Sequence, residues 1–450
     1  MRSGIEDSNV LQARQDGMNS QQVFTDVACT LCGCVCDDLT LTVVNNRIES
    51  TKHACEKAAS WFQNVETIVD RDRQSKDFCK VRGETSSLEN ALELGRTLLS
   101  ETHHPLVYGL SSSSTKGQGL AVKLADQFGG VVDSSASAGH TPSVVAFQRV
   151  GESTSSLGEV KSRADVVVYW GSNPVESHPR HLERYTRCGT DAASRTGVSK
   201  SFLIVVDVVE TETARQADLF VKIEPGSDFE VLWALRGLIQ GIELQEESCG
   251  GVSRDELVAL AEKMTSCKYG ALFFGMGLTQ GPLSHLNVEA VLQLATDLHR
   301  HTRWVVRRMR RFGDVAGADN VLSWQTGYPF GVSLSRGFPR YQPGEFSAQH
   351  VLENREVDLC VMVGAEGVQY LSQEAVDSLS EIPTIVLKHQ QTELPFTPTI
   401  EIAVQMYGVQ SAGTAYRMDD TPIPLRSILQ SDLPTDVEIL DELLASSTRE

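Results

Sequence analysis

The sequence predicts an α/β protein in which a small N-terminal segment built around four cysteines precedes parallel sheets covered by helices. Three observations carry this. Cys29, Cys32, Cys36 and Cys55 stand as C-x2-C-x3-C-x18-C near the start of the chain. After them, short apolar runs alternate with stretches of helical period, the pattern of right-handed β-α-β crossovers. The chain is 450 residues long, too long for one hydrophobic core and enough for roughly three domains.

The elements follow in order. Residues 39–50 alternate apolar and polar about Asn45-Asn46, which reads as a β-hairpin directly after the cysteine cluster. From Ser87 the period becomes helical, with Leu88, Ala91, Leu92, Leu98 and Leu99 on one face. A buried strand is expected at 105–110 and a helix near 119–128. Further strands are expected at 164–170, 202–207, 219–223, 271–274, 357–363 and 383–387. On such sheets ligands sit beyond the carboxyl ends of the strands.

Composition narrows the function. A formal charge of −19 argues against nucleic acid and anionic membrane surfaces, which call for clustered Lys and Arg. One basic run, Arg303 to Arg311, is local and interrupted by Trp304 and Val305. It reads as a solvated edge or subunit contact, with an anion site as the rival. Residues 1–22 are polar and of mixed charge, neither secretory signal nor anchor, and Met18 is an alternative start. The best apolar runs, 166–170 and 271–274, fall far short of the ~20 residues that span a bilayer. Ten cysteines without a signal point to a reducing, cytoplasmic setting, where clustered thiols serve as metal ligands or reactive groups rather than disulfides.

Three thiols within eight residues and a fourth returning after a hairpin can surround an iron–sulfur cubane. Structural zinc is the first alternative, although its second C-x2-C pair is missing; unligated thiols are the other. Cys34 is an extra thiol inside the loop. Cys79, Cys188, Cys249, Cys267 and Cys360 are isolated and read as buried structural cysteines. Two loops follow expected strands. In Gly171-Ser172-Asn173-Pro174, continued by Ser177-His178-Pro179, small residues and an Asx turn free backbone N–H groups for a phosphate. At Asp207 a strand-terminal acid can accept from a ribose hydroxyl. Each alone is weak, and a strand-terminal G-x-N-P is more often a plain turn than a nucleotide loop.

Together these pieces resemble the molybdopterin oxidoreductases. The carriers are the cysteine segment with Lys57 after Cys55, the run Tyr169 to Pro174, and the run Ala214 to Asp228 with Ala217-Asp218 and Pro225-Gly226-Ser227-Asp228. Within that superfamily the chain is most similar to the B subunit of formylmethanofuran dehydrogenase, over about residues 23–425. The resemblance implies an N-terminal [4Fe–4S] domain and two doubly wound α/β domains holding a tungsto- or molybdopterin guanine dinucleotide between them. It implies cluster ligands Cys29, Cys32, Cys36 and Cys55, Lys57 between cluster and pterin, and Gly171, Asn173, Pro174, Asp207, Gly226 and Asp228 at the dinucleotide. The plainer readings are that Asp207 and Asp228 cap helices and that Lys57 is a surface lysine.

Two departures qualify this. The superfamily commonly ligates its metal through Cys or selenocysteine directly before His; here Ala138-Gly139-His140-Thr141-Pro142 places glycine there, which has no side chain to ligate a metal. Beside Asp207, Val209 stands where relatives tend to carry an arginine for pyrophosphate. His140 then reads as structural rather than catalytic. The expected protein is a redox-inactive B subunit of a bacterial formyltransferase/hydrolase complex in one-carbon metabolism, bound to the complex's other subunits. The rival is a working tungsten or molybdenum dehydrogenase interconverting formate or CO2 and a formyl carrier. The expected division is 1–22 as a tail, 23–80 as the cysteine domain, 81–140 with 345–430 as one α/β domain, 141–344 as an inserted α/β domain, and 431–450 as a tail. No segment after Leu425 is left to close a pterin site, so a partner is expected to do so.

Overall fold

The computed structural model describes residues 21–74, 78–187, 201–281, 284–389 and 392–445. Met18, Cys188 and most of the expected N-terminal tail lie outside them. Strand formation begins with β1 (Gln21–Val27), β2 (Leu39–Val44) and β3 (Arg47–Lys52), paired in the order β1-β2-β3. The β2–β3 turn is Asn45-Asn46, both at positive φ (52° and 62°). Asn tolerates that region better than most residues, so the dipeptide fixes the hairpin.

Two further sheets hold most of the core. One has nine strands: β4 (Cys79–Val81), β5 (Glu84–Thr85), β6 (Pro105–Gly109), β7 (Val131–Ser134), then β15 (Val332–Ser333), β16 (Arg340–Tyr341), β17 (Leu359–Val363), β18 (Thr384–Lys388) and β19 (Ile400–Ala403), in the order β16-β15-β7-β6-β17-β18-β19-β4-β5. Its centre, β7 to β19, is parallel. The other sheet is wholly parallel: β8 (Val166–Trp170), β9 (Phe202–Asp207), β10 (Leu219–Lys222), β13 (Tyr269–Phe274) and β14 (Arg303–Arg308), in the order β10-β9-β8-β13-β14. Short pairs β11 (Ser248–Cys249) with β12 (Val252–Ser253), and β20 (Gly413–Tyr416) with β21 (Pro422–Leu425), complete the set.

The central parallel strands β6, β8, β13, β17 and β18 are uninterrupted buried runs, Val-Val-Val-Tyr-Trp in β8 being typical, because helices cover both faces. Several helices start where serine supplies a cap: Ser87 accepts from the Asn90 N–H, and Ser253 with Glu256 forms a capping box. Both sheets reverse direction of winding once, between β8 and β13 in the five-stranded sheet and between β6 and β17 in the nine-stranded one. Those reversals are where crevices open.

Three expectations are corrected here. The basic run is not a solvated edge throughout: β14 is the edge strand of its sheet and Arg303 and Arg311 are exposed, but Arg307, Arg308 and Arg310 are buried against Asp420, Glu152 and Asp319. Residues 332–341, assigned above to the inserted segment, pair with the nine-stranded sheet through β7. Residues 431–450 are not simply a tail, since Asp436–Ala445 is a helix packed on the helices Leu88–Glu101 and Thr115–Gln127. Among the isolated cysteines Cys79, Cys267 and Cys360 are buried, whereas Cys249 is only half-buried.

Candidate functional site

The crevice of the five-stranded sheet opens into a cavity of about 920 Å³. Two loops border it, one leaving β8 through Gly171-Ser172-Asn173, the other leaving β13 through Gly275-Met276-Gly277. The loops interlock. Gly277 N–H donates to the Gly171 carbonyl at 3.1 Å, and Gly275 N–H to the Trp170 carbonyl at 3.1 Å. A Cβ on Gly275 would lie 2.5 Å from the Gly171 oxygen, and one on Gly277 would lie 2.8 Å from the Gly171 Cα. Only glycines permit this approach of two backbones. The Gly-Met-Gly turn gives no signal in the sequence, because its partner is a hundred residues away.

Cys29, Cys32, Cys34, Cys36 and Cys55 line the same cavity, with His53, Lys57, His178, Arg311 and Tyr370. The thiol loop is held by its own backbone, Cys29 N–H to the Cys36 carbonyl and Val35 N–H to the Cys32 carbonyl. Gly33 lets it lie flat on residues 310–312; a Cβ there would come within 2.1 Å of the Arg310 oxygen. The hairpin returns the chain so that Cys55 precedes the helix Glu56–Gln74, where its sulfur accepts the Ala58 N–H at 3.4 Å. That N–H favours the thiolate, but burial outweighs it.

The thiols perturb one another electrostatically. Burial first, and then the charges of Cys32, Cys36 and Cys55, push the Cys29 thiol well up. Burial and the charges of Cys32 and Cys36 raise Cys55. Cys34 is raised by its hydrogen bonds to Cys32 and Cys36 and by burial. Its hydrogen bond brings Cys36 down to about 6, against desolvation and helped by Arg184. Mutually repelling thiolates around a hollow are relieved by a bound cation. Among the described residues no group of three or more His, Cys, Asp or Glu is arranged to hold a metal ion. A single zinc draws four sulfurs to about 2.3 Å from one point; a cubane takes them at its corners, farther apart. An all-thiol donor set is the chemistry of an iron–sulfur cluster and of a structural zinc alike.

The other expected residues are dispersed. Lys57 is exposed on the helix after Cys55, facing the cavity. Asn173 is spent within its own loop: Oδ1 accepts from Thr213 Oγ1 at 2.7 Å, and Nδ2 donates to Glu212 at 2.8 Å and Glu176 at 3.2 Å. Pro174 opens a short helix. Asp207 accepts its own loop's Val208 N–H at 2.8 Å, and Asp228 accepts from Trp170 Nε1 at 2.7 Å. Burial raises both carboxyls. Ser227, not Asp228, is the N-cap of the helix Asp228–Ile239. Gly226 is an exposed turn at φ 84°, and Val209 is exposed. A dinucleotide phosphate at Asn173 would meet Glu176 and Glu212, so this donor set does not fit the pyrophosphate.

Gly139 lies in the first turn of the helix Ser137–Val150. A Cβ there would be in ordinary contact with Met276, 3.5 Å from Cε and 3.9 Å from Sδ, so the position faces the Gly-Met-Gly turn and carries no donor. His140 beside it is partly buried. Burial, and after it Arg310, Arg308 and Arg311, hold its imidazole well below the ordinary range. His178 is fully buried, with Nε2 2.6 Å from the Arg310 carbonyl, and is brought down to about 4 by burial.

The chain is 38% identical over 432 residues to the B subunit of the tungsten-containing formylmethanofuran dehydrogenase 2 of Methanocaldococcus jannaschii, covering 94% of this chain and 98% of that protein. It belongs to the family of formylmethanofuran dehydrogenase B subunits. The corresponding protein of Methanococcus maripaludis is 36% identical over 94% of this chain and 98% of its own length. No family model matches. Among solved structures, the formyltransferase/hydrolase complex of Methylorubrum extorquens with methylofuran aligns at a TM-score of 0.67 and 19% identity, over 81% of this chain and 97% of that one. Acetylene hydratase of Pelobacter acetylenicus aligns at 0.61 and 12%, over 94% of this chain and 69% of that one. At such identities these two speak for the fold alone, a mixed α/β architecture. Among the described residues no helix is long and apolar enough to cross a membrane.

Proposed function

We propose that this B subunit is the redox-inactive scaffold of a multi-subunit complex that transfers and hydrolyses formyl groups to formate, and that Cys29, Cys32, Cys36 and Cys55 hold a [4Fe–4S] cluster in it. One observation carries the first half. The residue before His140 is Gly139, whose Cα faces Met276 with no donor atom. A metal ion needs a donor there to complete the superfamily's usual first shell. Asn173 and Val209 add to it, since neither offers a phosphate a free donor. The cluster, when bound, supplies one-electron capacity; Cys55 on its helix end and the loop from Cys29 to Cys36 would hold it. The division into a cysteine domain, a discontinuous α/β domain and an inserted one follows the three sheets, with the inserted unit ending before β15. Free cysteines among the described residues agree with a cytoplasmic, reducing setting.

A second reading has support of its own. The 36–38% identity is to proteins named as tungsten-containing, and the cavity beside Lys57 is intact. On that reading the chain is part of a working dehydrogenase. Metal analysis of the purified native complex with a viologen assay on formate separates the two. The scaffold predicts neither tungsten nor molybdenum near stoichiometry and no formate-dependent dye reduction, with formyl hydrolysis intact; stoichiometric tungsten with dye reduction overturns it.

A further inference from the structure

The residues immediately after Cys36 are Asp37 and Asp38, and each reaches an arginine on one helical segment. Arg180 grips Asp38 with both terminal nitrogens, at 2.6 and 2.8 Å. Arg184 reaches Asp37 at 2.6 Å and Asp38 at 3.4 Å. Both arginines belong to the segment that runs into the π-helical turn Leu182–Thr186. Four residues apart, they share a face, and a π turn in a helix often marks a functional site.

The pair is asymmetric. The arginine side chains are 12% and 15% exposed, the two carboxylates about 40%. The positive ends therefore lie inside, next to the thiols, and the negative ends lie where solvent screens them. Arg184 and Arg180 place their charges beside Cys36. A pair built only for stability would gain nothing from this polarity. Cluster potentials respond to local charge.

We infer that Arg184, oriented by Asp37 and seconded by Arg180, is the positioning residue that sets the reduction potential of the group bound by the cysteines: its buried charge, held on the inner side of the ion pair, stabilises the added electron. The inference rests on the cluster reading above. The experiment reconstitutes the full chain anaerobically with iron and sulfide, counts both, and follows a dithionite titration by electron paramagnetic resonance.

At equal iron content, Arg184→Gln is expected to lower the reduced-to-oxidised ratio at fixed potential at least tenfold, or 59 mV for one electron. Arg184→Lys, which keeps the charge without the planar fork, is expected to recover part of the shift. Asp37→Asn removes the counter-charge and is expected to move the potential upward; it decides the matter if Arg184→Gln fails to fold or to take iron. Potentials within twofold of the wild-type ratio in Arg184→Gln, or no upward shift in Asp37→Asn, overturn the inference while leaving the cluster in place. Wild-type chain that takes up no iron and sulfide overturns the cluster reading itself, and this inference with it.

Discussion

The two parallel sheets follow the same winding rule and treat their crevices in opposite ways. At the β8/β13 reversal three glycines bring two loops into backbone contact and leave a 920 Å³ cavity lined by the thiols. At the β6/β17 reversal the corresponding space is filled by polar side chains. Ser111 bonds Ser135, Ser113 bonds Asp436 from the C-terminal helix, Tyr407 donates to the Ser111 carbonyl at 3.1 Å, and Gln118 Nε2 reaches Asp314 at 3.0 Å. All are buried. Topology therefore provides a crevice, and side chains decide whether it stays open.

The largest expected effect tests the open side. Gly275→Ala places a Cβ against the Gly171 oxygen and Ser172, with backbone on both sides that cannot yield. A loss of about 3 kcal/mol or more in urea denaturation is expected. A variant within 1 kcal/mol of wild type would show that the loops are not interlocked.

Next is pH, where the crevices should respond with opposite signs. His178, on the open side, is held down to about 4 by burial against an ordinary 6.5. The unfolded chain therefore binds more protons between those values, and stability falls as pH drops from 6.5 towards 4, by roughly 3 kcal/mol at most. Asp436, on the filled side, is raised, first by burial. Its contribution runs the other way: it is whole at low pH and declines as pH rises above the usual carboxylate range. Denaturation of His178→Gln should show a flatter slope between pH 6.5 and 5, and an unchanged slope would remove His178 from the account.

The filled crevice is tested directly by Asp436→Ala. It strips the partner from the buried Ser113 hydroxyl and from the Val437 N–H. About 2 kcal/mol should be lost, the cost of stranding buried polar groups. Asp436→Asn, which keeps an acceptor, should cost less; equal losses would mean that the helix Asp436–Ala445 is held by its apolar face alone.

How much of this was legible in the sequence depends on contact range. The β9 strand matches its expected bounds residue for residue, and the Asn45-Asn46 turn is where its dipeptide places it, because both are decided within a few residues. The thiol spacing was legible for the same reason. The basic run was misread because what buries it, Asp420, Glu152 and Asp319, is scattered over 270 residues. The Asp37–Arg184 and Asp38–Arg180 pairs, about 140 residues apart, carried no local signal, and neither did the pairing of Gly275 and Gly277 with Gly171. The two-residue strands β15 and β16 are too short to show a period. The absent thiolate at Gly139 was visible only through the family resemblance; the residues alone would have passed it over as an ordinary helix glycine.

That position supplies the smallest expected effect and the sharpest comparison. In Gly139→Cys the new Cβ meets Met276 at ordinary contact distance and the backbone is helical, so the side chain is accommodated without strain at φ. Glycine in a helix gives up some stability to any other residue, by about 0.5–1 kcal/mol, while crowding against Met276 works the other way. The net change should be within about 1 kcal/mol of wild type, of either sign. If the crevice at β8/β13 is open only to the cysteine-bound group, the added thiol has no metal to meet, and the complex carrying Gly139→Cys should remain without formate-dependent dye reduction. Dye reduction accompanied by tungsten or molybdenum would mean that the missing thiolate was the one lost part of an otherwise intact site. The open crevice would then be a pterin site, and the contrast with the filled one would be functional as well as structural.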